Sequence, residues 1–92
     1  IMLVNFEWDA AKAKDNLIKH GVSFEQAQIA FTDPYRIIEM DENHSESEPR
    51  FFCCGKVDGR VLTVRFTHRA GNIRIFGAAY WRKGKKHYEQ ET

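Results

Sequence analysis

Ninety-two residues with 42% hydrophobic and 13% aromatic content make one domain (1–92) that can bury a single core, and they exclude a disordered chain. No apolar run approaches the roughly 18 residues of a membrane span and no secretory core is visible, so the expected setting is the cytoplasm, without a membrane partner. The formal net charge of +1 hides a division: residues 1–48 hold four Lys/Arg against ten Asp/Glu, net −6, and residues 49–92 hold ten against three, net +7. That polarity points either to a surface built for anions, nucleic acid first among them, or to two halves that pair with each other in the fold.

In chain order, Met2 reads as the natural start with Ile1 ahead of it, and "MLVNF" is a short β-prone run. Asp9 is placed as a helix N-cap, with Ala10, Ala13 and Leu17 recurring at helical spacing and Gly21 as the stop. Ser23 starts a second helix, with Gln26 three residues on and Phe24, Ala27, Ala30 and Phe31 on its apolar side. Asp33-Pro34 ends it, because a residue before proline disfavours the α region. "YRIIEM" (35–40) reads as a strand and the polar, acidic "DENHSESEP" (41–49) as a loop. Residues 50–57 and 60–69 read as strands joined by Asp58-Gly59, a strong two-residue hairpin signal. "AGN" (70–72) turns the chain into a further strand, 73–79, and residues 82–91 form a short basic helix weakened by Gly84. Cys53 and Cys54 are neighbours on a strand and so point to opposite faces. Neither a bridge nor a shared metal site is expected, and a reducing compartment fits. The expected class is α+β: two N-terminal helices packed on a mainly antiparallel sheet of four to five strands, with a short C-terminal helix.

Strand parity sorts the side chains. A two-residue loop at 58–59 opposes Val57 to Arg60, Phe51 to Phe66 and Phe52 to Arg65. One face then carries Phe51, Cys53, Val64, Phe66, Ile73 and Ile75 and should meet the helices. The other carries Arg50, Lys56, Arg65, Arg69 and Arg74, with Phe52 and Phe76 among them. Like charges gathered across neighbouring strands are destabilising unless anions or carboxylates such as Glu48 relieve them. Aromatic platforms between cations suit unpaired bases. Arg82, Lys83, Lys85 and Lys86 extend the charge beyond the last strand.

Cleavage of RNA by its own 2′-hydroxyl needs a base, an acid and cations for the charged transition state, and arginine's fork suits phosphate oxygens. The candidate proton-transfer groups are Glu48, His44, His68 and His87. His68 has core-face parity and reads as structural. Asp41, His44 and Glu48 share a loop, but their spacing matches no specific metal signature. No Walker loop, dinucleotide fingerprint or nucleophile elbow occurs. The reading therefore requires no metal and no cofactor.

The segment "FEWDAAKAKDNLIKHGVSFEQAQIAFTDP" (6–34) resembles the opening signature of the BrnT family of toxins, F-E-W-D-x-x-K-x-x-x-N-x-x-K-H-G-V-S-F-E-x-A-x-x-x-F-x-D-P. "DENHSESEPR" and "VRFTHRAGNIRI" resemble its later segments. The resemblance implies a small ribonuclease toxin of a bacterial type II toxin–antitoxin module, with a fold like that of RelE-type toxins. It implies a ribbon-helix-helix antitoxin, BrnA-like, in a complex with two copies of each that reaches operator DNA through the antitoxin. It singles out Lys12, Asn16, Lys19 and His20, then His44, Ser45, Glu48 and Arg50, then Arg69 and Arg74. Arg50, Arg69 and Arg74 are the expected phosphate and transition-state groups, with Glu48 as base or as an arginine's orienting partner and His44 as a weaker proton-transfer group. Phe6 and Trp8 are expected in the core, and Asn16 and His20 in structural roles. One departure stands out: Ala79 occupies the place of a family arginine. Arg82 or Lys83 is the expected replacement, and the alternative is a catalytically weak homologue that serves as the antitoxin's partner.

Overall fold

A computed structural model describes residues 4–91. Its helix boundaries follow local chemistry. The Asp9 carboxylate accepts the Lys12 backbone N–H at 3.1 Å, and helix α1 runs from Ala10 to His20. Gly21, at φ +67°, ends it by donating its N–H to the Leu17 carbonyl, a left-handed conformation that costs glycine little. Ser23 Oγ accepts the Gln26 N–H at 3.0 Å and starts α2, Phe24–Ala27. The second expected helix is thus a single α turn that tightens into a 3₁₀ segment, Gln28–Thr32, before Asp33 turns extended.

The strands are β1 (Phe6–Trp8), β2 (Ile37–Met40), β3 (Phe51–Val57), β4 (Arg60–Arg69) and β5 (Asn72–Ala79). They form one mixed sheet in the order β1-β5-β4-β3-β2. β1 is parallel to β5 and the other pairs are antiparallel. The N-terminal strand lies later than expected; Met2 and Leu3, part of that expectation, fall outside the described residues. Asp58 and Gly59 take φ of 52° and 78°, the positive values that a two-residue hairpin turn matched to strand twist requires. Val57 therefore faces Arg60, and Phe51 faces Phe66. Ala70 and Gly71, also at positive φ, make a second such turn, so β5 starts at Asn72, opposite Arg69. Further along, Phe66 opposes Ile75 but Arg65 opposes Gly77. Phe76 is the extra residue of a bulge, which kinks and twists the strand locally.

The first sheet face is the core. Phe24, Ala27 and Ala30 pack with Cys53, Val57, Leu62, Val64, Phe66, Ile75 and Ala78. The 3₁₀ segment lies so close to β3 that a methyl group on Gly55 would run into the Ala30 carbonyl. Phe6 and Trp8 are partly buried against this core, edge-on to Phe31 and Phe24. Both cysteines are free and buried. Burial pushes the Cys53 thiol up to about 12 and raises that of Cys54, so neither offers a ready thiolate.

Helix α1 departs from the expected apolar pattern: Leu17 is 52% exposed and the buried residue is Asn16. The reason is the strand beside it. β1 pairs with β5 only as far as Ile75, which leaves β5 an open edge beyond. Asn16 closes that edge, accepting the Ala78 N–H at 3.1 Å and donating to the Ala78 carbonyl at 2.8 Å. It also donates to the Val22 carbonyl at 3.0 Å. A buried amide here satisfies backbone groups that a leucine would strand.

Helix α3, Arg82–Glu91, covers part of the second sheet face. Tyr88 packs with Cys54 and Val61, and Gly84 abuts the Thr63 side chain so closely that no side chain fits between them. Gly84, which lowers helix propensity, is what lets the helix reach the sheet. Tyr88 donates its hydroxyl to Asp33 Oδ2 at 2.7 Å, and that oxygen also accepts the Lys56 N–H at 2.8 Å.

Candidate nucleic-acid interface

Because α3 occupies only part of the second face, the end near Arg50 stays open. There the sheet and α1 enclose a groove of about 300 Å³. Its floor is Arg65, Phe76 and Gly77, with Arg50 at one side. Its wall is α1, through Lys12, Asp15, Asn16, Lys19 and His20, and Trp81 closes the far end. Lys12 and Lys19 are seven apart, two helical turns, so both look onto the sheet from one side of α1. Lys19 also opposes the partial negative charge at the helix's C-terminal end.

The bulge matters here. Phe76 is both the residue inserted in β5 and the platform under two cations: the Arg50 guanidinium lies 4.4 Å from its ring centre and the Lys12 ammonium 5.0 Å. Arg50 is 3.8 Å from Glu48, and its Nε is buried without a hydrogen-bond partner. Arg65, Lys12 and Lys19 have no carboxylate within ion-pair distance among the described residues. Asp15 is the acidic side chain of the lining. Cations beside aromatic faces, with few carboxylates between them, suit a phosphate backbone with unstacked bases.

The expected arginine cluster divides. Arg50 and Arg65 meet in the groove. Arg69 instead donates to both oxygens of Glu48, at 3.0 and 3.2 Å. Arg74 donates to Glu7 at 2.7 Å, and Glu7 also accepts from Asn72. The hydrogen bonds from Asn72 and Arg74 hold the Glu7 carboxyl below its ordinary value. Glu48 thus links Arg50 and Arg69. His44 hydrogen-bonds Asp41 at 2.9 Å on an exposed turn outside the groove, so Asp41, His44 and Glu48 do not converge on a common point.

Other expected residues are placed elsewhere. Phe52, expected as a stacking platform, has the right parity but packs into the apolar cluster under α3. Arg82, Lys83, Lys85 and Lys86 are exposed on α3, and none lines the groove. His68 stands among Phe51 and Phe66, ring centres 5.6 Å away. His87 Nε2 lies 2.8 Å from Glu39 but out of hydrogen-bond alignment. Ala79 is buried opposite Thr63, and the residue after it that reaches the groove is Trp81 rather than Arg82 or Lys83. Lys12, Lys19 and His20 were legible only as signature positions. Their helical spacing was the available sign of a shared face, and His20, expected to be structural, is exposed beside Trp81 with ring centres 5.6 Å apart.

Residues 8–84 match the sequence model of a family described as the ribonuclease toxin BrnT of type II toxin–antitoxin systems. No curated protein matches the chain.

Proposed function

The chain belongs to the BrnT family of ribonuclease toxins of type II toxin–antitoxin systems, and from that premise we propose that the α1 groove is where it binds and cleaves RNA, without a metal. The observation that carries this reading is the pair Arg50 and Arg65 at one groove with Phe76, Arg65 being free of any carboxylate partner among the described residues. Arg50 and Arg65 hold the phosphate oxygens and stabilise the charge that grows there in the transition state. Glu48 orients Arg50 and Arg69 instead of acting as base. Imidazole is the side chain that most readily exchanges a proton at neutral pH, and His20 is the imidazole of the groove. It takes the proton of the 2′-hydroxyl as that oxygen bonds to phosphorus. The bond from phosphorus to the 5′ oxygen breaks, and water protonates the leaving oxygen. The products are a 2′,3′-cyclic phosphate and a 5′-hydroxyl, and His20 returns its proton to solvent.

The partner in this reading is a ribbon-helix-helix antitoxin, BrnA-like, two with two toxins, and the setting is the cytoplasm. The fold is expected to resemble that of RelE-type toxins. Ala79, where the family pattern has an arginine, favours a second reading: a catalytically weak homologue that acts with its antitoxin on operator DNA. Induction of the chain without its partner separates the two. Growth arrest with RNA degradation, lost in Arg50→Ala and Arg65→Ala and unchanged by EDTA on the purified protein, supports the nuclease. Intact RNA in wild type and variants alike supports the co-repressor.

A further inference from the structure

Trp81 bounds a second hollow as well as the groove. That hollow, about 400 Å³, lies past the His20–Trp81 pair and shares Lys19, His20 and Trp81 with the groove. Its remaining wall includes Arg60, Ala79 and Tyr80. The Arg60 guanidinium lies 3.9 Å from the centre of the Tyr80 ring, and the Tyr80 hydroxyl accepts a hydrogen bond from Gln26 at 3.3 Å. The half-buried ring is thereby tethered at its hydroxyl and carries the guanidinium over its face. Arg60 has no carboxylate partner among the described residues. Ala79 also borders this hollow.

We propose that this second hollow is a nucleotide subsite: single-stranded RNA lies across the end of α1, with one base on either side of the His20–Trp81 pair and the connecting phosphate, held by the groove's arginines, beside Lys19 and His20. This rests on the reading of the groove as an RNA site and adds the length and form of what it recognises. Each hollow falls within or near the roughly 300–1,000 Å³ typical of small-ligand pockets, enough for one base. Each offers a platform for it, Phe76 in one and the Arg60–Tyr80 stack in the other, and bases stack on guanidinium planes as well as on rings. A tryptophan between two such platforms requires neighbouring bases to be splayed apart, which a single strand permits and a duplex resists. Lys19, at the shared boundary, stands where the linking phosphate must pass.

The test uses the full chain and two probes that it does not cleave: a nucleoside 3′-monophosphate, and a dinucleotide with a 2′-O-methyl group on its 5′ nucleoside. Titration calorimetry should show wild type preferring the dinucleotide. Arg60→Ala, an exposed change, should remove roughly fivefold or more of that preference, and Tyr80→Leu should do the same. Arg65→Ala should weaken both probes. A preference absent from wild type, or unchanged in Arg60→Ala, overturns the subsite while a loss in Arg65→Ala keeps the groove. No binding of either probe to wild type overturns the groove reading itself. If Arg60→Ala weakens the antitoxin complex and leaves the dinucleotide unaffected, the hollow belongs to the protein partner and the subsite is overturned.

Discussion

The second face of the sheet has two halves built from neighbouring stretches of the same strands, and they are put to opposite uses. Under α3 the sheet shows Cys54, Val61 and Thr63, and the helix meets them with Gly84 and Tyr88. Near β3's first residue it shows Arg50, Arg65 and Phe76, which line a groove beside α1. The same strand parity runs through both halves, so parity alone does not say which half binds a ligand. The difference lies in what sits above: a helix brought close by a glycine in one half, and in the other a groove edged by the cations of α1. A closed apolar half packs on the same strands that carry the open cationic half, and such backing is what a preorganised phosphate site would need.

The largest expected effect breaks the open half. Arg65→Ala should lower RNA cleavage by roughly 10²–10³-fold in kcat/KM with an unchanged thermal midpoint; a loss below tenfold would remove Arg65 from the transition state. The covered half is broken next by Gly84→Val. Its side chain has no room against Thr63, so urea unfolding should show a loss of about 1–3 kcal/mol or more. Unchanged stability would mean that α3 does not lie against β4.

A smaller effect sharpens the covered half. Tyr88→Phe removes the hydroxyl bonded to Asp33 and should cost about 1–2 kcal/mol. Burial alone would raise the Asp33 carboxyl, but the hydrogen bonds from Tyr88 and from the N–H groups of Lys56 and Tyr35 outweigh it and hold it below its ordinary value. That contribution is present above the ordinary carboxylate range and fades as pH falls through the lowered value. The Tyr88 phenol, hydrogen-bonded to Asp33 and buried, is pushed up to about 12. Its contribution is whole below the ordinary phenol value and fades as pH rises from about 10 to about 12. The alkaline decline in stability, followed by denaturant midpoint against pH, should be shallower in Tyr88→Phe than in wild type.

The smallest effect separates the neutralised arginines from the open ones. Arg74→Ala should change cleavage by about fivefold or less, because Glu7 already occupies that guanidinium. Titration by carbon NMR should show the Glu7 carboxyl moving toward its ordinary value, in part only, since the Asn72 hydrogen bond remains. A loss equal to that of Arg65→Ala would return Arg74 to the site.

Much of the fold was legible. The caps at Asp9 and Ser23, the glycine stop at Gly21 and the Asp58-Gly59 hairpin were read from residue types whose local conformational preferences are strong. Only half of the candidate site was. Arg50 and Arg65 followed from parity, since a two-residue turn sets the register of β3 on β4. Arg69 and Arg74 followed from the same parity, but parity does not show that Glu48 and Glu7 pair with them. The carboxylate that neutralises Arg74 lies 67 residues away in the chain, and no period of two or 3.6 signals such a partner. Phe52 shows a similar limit, since alternation tells which face a side chain takes and not whether a later helix covers it.

The sequence by itself determined where elements begin and end and which way each strand residue faces, because caps, turns and alternation act over a few residues. Tertiary structure decided the rest. It set α1 along the open edge of β5 through Asn16, put Phe76 in a bulge beneath Arg50, and laid Gly84 on Thr63. It also let Lys12, Lys19 and His20 from the acidic half of the chain face arginines from the basic half. These are contacts between distant segments, chosen by which backbone groups remain unpaired and which surfaces fit closely, and both are properties of the packed sheet rather than of any short stretch of chain.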